Sequence, residues 1–394
     1  MKKIEGGICA VRGVRASGIK PGKMGLAIIA AEGTAAGVFT RNKVIAAPLT
    51  VTKEKIAESG ELYAVIANSG NANAFTGKEG IEDANKMAEV LSEQMGIPSE
   101  LIAVASTGVI GRQMDMDWIN EHVEEVVESL SNEPEGSSDA ARAIMTTDTV
   151  PKEVSIELDS GVRIGGIAKG SGMIEPNMGT MLSFVYTDAD LSPAVLDSCL
   201  KKAVDKSFNM IVVDGDTSTN DMALLTATAE VSIEVDVEEF QLGLDYVMIE
   251  LAKKIARDGE GATKLIEAQV KGARTEKDAC LVAKAVVRSP LVKSAIYGKD
   301  PNWGRVVAAA GYSGADVDQE KISLAFASGK DEVKLVESGV IIDAGAGQLE
   351  KLKDIMAAEE ILIITDLGLG EESATAWGCD LTYDYVRINA EYTT

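Results

Sequence analysis

Histidine is almost missing from this chain: among 394 residues, His122 is the one example. That scarcity excludes whole mechanisms. Ser-His-Asp and Cys-His catalysis need an imidazole within reach of the nucleophile, and HExxH zinc sites or facial triads need two histidines. His122 sits in Trp118-Ile119-Asn120-Glu121-His122-Val123-Glu124-Glu125, a helical pattern thick with glutamate, and reads as part of a solvated face. Cysteine is sparse as well. Cys9, Cys199, Cys280 and Cys379 lie far apart, so there is no CxxC pair for zinc or redox chemistry. Without a signal-peptide pattern they are expected as free thiols in a reducing compartment. No window approaches the ~18 continuous apolar residues of a membrane span, and the lysines of Met1-Lys2-Lys3-Ile4-Glu5-Gly6-Gly7 lead into Glu and Gly rather than an apolar run. A soluble, cytoplasmic protein is expected. Positive charge is also short: 38 Lys plus Arg stand against 62 Asp plus Glu, a net charge of -24. Such a surface repels phosphate backbones and anionic lipid heads, which disfavours nucleic-acid and membrane partners.

What is present is material for a large core. Hydrophobic residues make up 46% of the chain and 38 residues are glycine. At ~150 residues per domain, two or three domains are expected. Strands are predicted at Gly25-Leu26-Ala27-Ile28-Ile29-Ala30-Ala31, Ala35–Thr40, Ala47–Thr52 and Leu62–Asn68, and helices over 81–96, 116–130 and 137–148. Further strands are predicted over 153–170, 182–189 and 224–235, and helices over 192–208 and 238–258. Beyond residue 273 come two helical stretches and strands at 321–327, 333–342 and 360–368. Pairs of strands between helices make a mixed α/β chain rather than a strict βαβ alternation. No Pro-rich linker or repeat marks a boundary; the 134–138 turn and the 271–276 segment are the candidates.

Several motifs fail on inspection. Gly368-Leu369-Gly370 follows a strand, but Ser373 takes the third glycine position and Glu371 and Glu372 would repel a pyrophosphate. Gly77-Lys78 lacks the upstream glycine and has Glu79 where a P-loop needs Ser or Thr. Asp214-Gly215-Asp216-Thr217-Ser218 starts like a calcium loop, yet Thr219 replaces the turn glycine and Leu225 the bidentate Glu, leaving an Asx-turn reading. Gly311-Tyr312-Ser313-Gly314-Ala315 misses a nucleophile elbow by one residue. No metal site is visible.

One segment survives: Lys169-Gly170-Ser171-Gly172-Met173-Ile174-Glu175-Pro176-Asn177-Met178-Gly179-Thr180-Met181-Leu182. It is glycine-rich, runs straight into a strand, and sets Thr180 behind a glycine. With no catalytic histidine, a threonine nucleophile needs a lysine or an N-terminal amine as base. If the Gly179–Thr180 bond were cut, the new α-amine, of pKa near 7.7–8.0, would stand beside its own hydroxyl. Glycine leaves room for Oγ to reach the carbonyl. On residue pattern alone, an ordinary glycine turn before a core strand is the competing reading.

The segment closely resembles the cleavage site of the glutamate N-acetyltransferase (ornithine acetyltransferase) family of arginine biosynthesis, and the resemblance covers essentially the whole chain. Further blocks that look like the family's are 67–74, 105–111, 146–149, 213–221, 258–264, 298–305 and 389–394. The resemblance implies a self-cleaving α/β (α+β) αββα-type sandwich with a smaller C-terminal α/β domain. It implies cleavage into an alpha chain, 1–179, and a beta chain, 180–394, that stay together, usually as a heterotetramer of two of each. Members usually carry alanine before the nucleophile where this chain has Gly179; both are small. The implied reaction is ping-pong transfer: Thr180 Oγ takes the acetyl group of N2-acetylornithine, ornithine leaves, and glutamate accepts the acetyl. No cofactor is implied; in bifunctional members acetyl-CoA is a second acyl donor.

Residue by residue, the resemblance assigns the oxyanion hole to Thr107 and Gly108, and substrate contacts to Thr147, Lys169, Thr180, Glu260, Asn389 and Thr394. An ammonium at 169 suits a substrate carboxylate, and a carboxylate at 260 suits a substrate amine. Asp300, Asn302 and Arg305 receive no role. Two alternatives remain open at this point: an aminopeptidase or amidase of the same self-cleaving architecture with water as acceptor, and a binding protein that keeps the fold without the chemistry.

Overall fold

The computed structural model describes residues 1–175, 181–343 and 345–391. Gly179, Thr180 and Thr394 lie outside the described residues. The chain forms two compact units, one built on Met1–Asn209 with Asp216–Ile255, the other of Met210–Gly215 with Ala256–Tyr392. Of the boundary candidates, 134–138 therefore falls inside the first unit and 271–276 inside the second.

The first unit holds one nine-stranded sheet. Its strands are β1 (Lys2–Lys3), β2 (Arg15–Ile19), β3 (Gly25–Phe39), β4 (Glu61–Asn71), β5 (Ile102–Val109), β6 (Lys152–Glu157), β7 (Arg163–Lys169), β8 (Leu182–Thr187) and β10 (Met222–Ala227), β9 (Ile211–Val212) belonging to the other sheet. The order is β1-β6-β7-β8-β10-β3-β4-β5, with β2 on β3. The pairs β8–β10 and β4–β5 are parallel, the rest antiparallel. Its helices are α1 (Ala47–Ser59), α2 (Gly77–Met95), α3 (Met116–Glu128), α4 (Pro134–Ala143), α5 (Pro193–Lys206) and α6 (Val237–Arg257), whose last turn enters the second unit.

Strand periodicity divides the core between the two sheet faces. In β3, Leu26 and Ile28 join Ile66, Val104 and the apolar faces of α2 and α3. Their neighbours Ala27 and Ile29 join Val65, Ala105, Phe184, Tyr186, Leu224 and Ala140 of α4. Burial on both faces explains the nearly unbroken apolar runs of β3 and β4.

The second unit carries a seven-stranded sheet ordered β14-β13-β12-β15-β11-β16-β9. Its strands are β11 (Leu265–Ala273), β12 (Ser323–Ser328), β13 (Asp331–Glu337), β14 (Val340–Ile341), β15 (Glu360–Asp366) and β16 (Glu372–Cys379). Its helices are α7 (Glu276–Arg288), α8 (Pro290–Tyr297), α9 (Trp303–Tyr312), α10 (Ala346–Ala357) and α11 (Tyr383–Glu391). The mixed α/β class read from the sequence is the class the chain adopts.

Two expected strands are corrected. Ala47–Thr52 is helical, not extended: Pro48 stands in the first turn of α1, where its missing N–H costs nothing. Thr52 uses its hydroxyl to bond Val104 on both sides, donating to its carbonyl and accepting from its N–H at 2.7 Å each. The strand expected over 224–235 ends at Ala227, because Ala229 turns the backbone into the left-handed region at φ 56°. Residues 25–39, read as two strands, are one.

Candidate active site

The strand β7 ends at Lys169, which pairs with Leu182 at the start of β8. In sequence, residues 170–181 connect those two ends, and Gly179 and Thr180 fall within that stretch. Leu182 is in turn the partner of Met222, the first residue of β10. Thr107, near the end of β5, reaches the same place: Lys169 Nζ donates to Thr107 Oγ1 at 3.3 Å and to Thr146 Oγ1 at 2.8 Å.

Lys169 is 7% exposed and Thr107 9%. A buried ammonium needs a counter-charge, and Asp148 supplies it 4.0 Å away. Asp148 is a hub. It accepts from Lys152 Nζ at 2.7 Å, the Gly170 N–H at 2.6 Å and the Thr146 N–H at 3.0 Å. Burial alone would push its carboxyl up; the ammonium groups of Lys169 and Lys152 and the hydrogen bonds from Lys152 and Thr146 outweigh that and hold it at about 2. A third ammonium, Lys20, reaches Ser69 Oγ at 2.8 Å and the Met145 carbonyl at 2.7 Å. Burial, with Lys169 adding to it, lowers its pKa against the pull of Asp148. Thr147, between two residues of this network, is half-buried.

Gly108 is fixed by space as well as conformation. Its φ is +135°, and a Cβ there would come within 2.4 Å of the Gly70 carbonyl carbon and 2.6 Å of the Asn71 nitrogen. Thus the ends of β4 and β5 close together only with glycine at 108. Around them lies a buried amide network. Ser106 Oγ donates to Asn68 Oδ1 at 2.5 Å, and Asn220 Nδ2 donates to the carbonyls of Ala72 at 2.5 Å and Ser106 at 2.9 Å. The family-like blocks at 67–74, 105–111 and 213–221 therefore meet here. In the last block, Ser218 Oγ accepts the Asn220 N–H at 3.1 Å, a serine turn rather than the expected Asx turn.

In the second unit, Glu260 is 9% exposed and accepts from Asn389 Nδ2 at 2.7 Å. Those two predicted residues are brought together by α11, whose Tyr385 carbonyl takes the same amide at 3.0 Å. Asp380 pins the 258–264 block by accepting the N–H groups of Thr263 at 2.8 Å and Lys264 at 2.9 Å. Asn302 caps α9 by accepting the Arg305 N–H at 3.3 Å and donates to Asp300 at 3.0 Å, while Arg305 bonds the Leu291 carbonyl at 2.8 Å. These are structural duties.

His122 is occupied on its own helix: its Nδ1 lies 2.9 Å from the Trp118 carbonyl and its ring stacks on Trp118 at 4.5 Å. All four cysteines are free thiols, with Cys9, Cys199 and Cys379 buried. Among the described residues no helix is long and apolar enough to cross a membrane, and no three His, Cys, Asp or Glu side chains cluster as metal ligands. Asp148, Lys152, Lys20 and Asp380 carried no assignment from the sequence. Their signal was present in part, since Asp148 sits inside the 146–149 block.

A glutamate N-acetyltransferase of Methanosarcina mazei is 65% identical over 397 residues, covering all of both chains. The arginine biosynthesis bifunctional protein ArgJ of Archaeoglobus fulgidus is 49% identical, covering 98% of this chain and all of that one. A crystal structure of the corresponding protein of Bacillus halodurans superposes with a TM-score of 0.51 at 45% identity, covering 54% of this chain and all of that chain. With residues 11–394 matching the family's own pattern as well, the chain belongs to the ArgJ family.

Proposed function

We propose that this protein cuts its own chain between Gly179 and Thr180 and then transfers the acetyl group of N2-acetylornithine to glutamate, in arginine biosynthesis, through an acetyl-Thr180 intermediate. One observation carries the reading: Lys169, Thr107 and Gly108 converge at the two ends of the connection that bears Thr180. The names of the relatives, glutamate N-acetyltransferase and arginine biosynthesis bifunctional protein ArgJ, support acetyl transfer to glutamate; the donor and the acetyl-Thr180 intermediate are our reading.

The freed amine of Thr180 takes the proton of its own Oγ, and Oγ attacks the acetyl carbonyl. Negative charge grows on the carbonyl oxygen, to be met by the Thr107 hydroxyl and the Gly108 N–H. Because the Thr107 hydroxyl accepts from Lys169, its own proton is left to donate to that oxyanion. Ornithine departs with the proton held by the amine, and the amine of glutamate then attacks the ester. Lys169 pairs with a substrate carboxylate, Thr147 and Thr394 add hydroxyl contacts, and Glu260 with Asn389 receives a substrate amine.

The fold also accounts for fragments that remain together. A cut before residue 180 leaves β7 on one fragment and β8 on the other, joined by a ladder from Ile164–Thr187 to Lys169–Leu182. We include in the proposal a heterotetramer of two fragment pairs. A solved relative matched in full by 54% of this chain is about the length of 180–394.

The test is the acceptor. Incubation with N2-acetylornithine and glutamate is expected to yield N-acetylglutamate and ornithine in equal amounts. Release of free acetate without acetylglutamate would replace the reading with an amidase. Acetyl-CoA in place of acetylornithine separates a bifunctional from a monofunctional enzyme.

A further inference from the structure

A buried carboxyl stands at the same strand ends without a part in acyl transfer. Asp221, the residue before β10, is 2% exposed. Around its carboxyl lie the Met181 N–H and the hydroxyls of Thr40 and Ser218, the Thr40 hydroxyl donating to the Ser218 carbonyl at 2.8 Å, and among the described residues its Oδ2 is buried with no hydrogen-bond partner. Met181 is the residue after Thr180. This carboxyl therefore neighbours a residue that, in sequence, is the second after the bond to be cut. The loop that carries Asp221 also fixes the other flank of residues 176–180. The Glu175 N–H donates to the Asp216 carbonyl at 2.9 Å, Thr217 Oγ1 donates to the Glu175 carbonyl at 3.1 Å, and Ile174 bridges to Thr217.

We infer that Asp221 is the proton donor to the Thr180 nitrogen when the Gly179–Thr180 bond breaks, an inference that rests on the self-cleavage proposed above. A peptide nitrogen leaves as an amine only if it gains a proton, and the acetyl-transfer machinery contains no acid for it: Lys169 is tied to Thr107, Thr146 and Asp148, and Asp148 is ionised. Thr180 Oγ bonds to the Gly179 carbonyl carbon, the C–N bond breaks, and the nitrogen takes the proton of Asp221. The proton lost by Oγ returns to the Asp221 carboxylate. Water then hydrolyses the ester, giving OH to Gly179 and H to Oγ, so the carboxyl ends as it began. Burial keeps this acid protonated well above the usual carboxylate range, against the opposing Thr40 and Ser218 hydroxyls, the Lys169 ammonium and the Met181 N–H.

The chain, translated in a cell-free system with labelled methionine and chased over pH 6–9, reads this step directly as conversion of precursor into two fragments. Asp221→Asn keeps the shape and removes the acid, and is expected to slow cleavage about 100-fold or more, with Asp221→Glu restoring part of the rate. Any fall of the wild-type rate at high pH that comes from ionisation of Asp221 is expected to vanish in Asp221→Asn. Wild-type rate and pH profile in Asp221→Asn, with Thr180→Ala remaining whole, would overturn the role of Asp221 and leave self-cleavage standing. A wild-type chain that transfers acetyl while uncut would instead sink the reading on which the inference rests.

Discussion

Replacing Asp148 by asparagine removes a carboxylate that Lys152, Lys169 and Lys20 all face. The Thr180→Ala background keeps the chain whole for the measurement. Asp148 titrates at about 2 in the folded chain against an ordinary 3.8, and each unit is worth about 1.4 kcal/mol, so its ionised form contributes about 2–3 kcal/mol. The folded value is the lower one; this contribution is fully present above the ordinary value and is lost as pH falls toward about 2. At neutral pH the loss in Asp148→Asn is larger, about 3–5 kcal/mol, because the Lys152 ammonium, itself 0% exposed, stays buried after its carboxylate is gone. Urea unfolding read by hydrogen exchange in β7 and β8 peptides reports the first unit by itself. The exposed pair Arg142–Asp139, 56% and 50% exposed, supplies the control: Asp139→Asn should change stability by less than about 1 kcal/mol. If Asp148→Asn followed the wild-type stability curve in parallel between pH 5 and pH 2, Asp148 would not be the anchor of this network.

Gly108→Ala should destabilise the first unit by about 2–5 kcal/mol, combining a disfavoured φ with backbone overlap. Gly96→Ala, at a helix end with open space around it, should cost only about 1 kcal/mol in the same thermal melts. Lys169→Met should lower kcat/KM for acetyl transfer by about 100-fold through the loss of a charged hydrogen bond, with Lys169→Arg failing to restore it. Alkylation of the native protein should label Cys280 first, since Cys9, Cys199 and Cys379 are buried and burial pushes the Cys9 thiol up to about 12; peptide mapping by mass spectrometry reads the order.

The long apolar elements were legible because their periodicity is set by burial. α2, α3, α5 and α6 match their expected spans within a few residues, and so do β4, β8 and β15. Ala47–Thr52 misled because its β-branched residues read as a strand, whereas the first-turn proline and the tertiary bond to Val104 decided for helix. β11 and β16 were not read: polar residues such as the half-buried Glu267 and the exposed Gln269 and Glu372 break their apolar pattern, and their pairing partners lie far away in sequence. At the site, Lys169, Thr107, Gly108, Glu260 and Asn389 were reached by resemblance. Asp148 and Asp221 were not, because an isolated aspartate in a polar block reads as solvated. Only the closing of β5, β7, β8 and β10 at one edge buries them.

Intact-mass measurement of the purified, active protein under denaturing conditions tests the central claim most directly. The account predicts two species that together make up the 41.4 kDa chain, the larger beginning with Thr180. Acetyl transfer by a single uncut chain would contradict it.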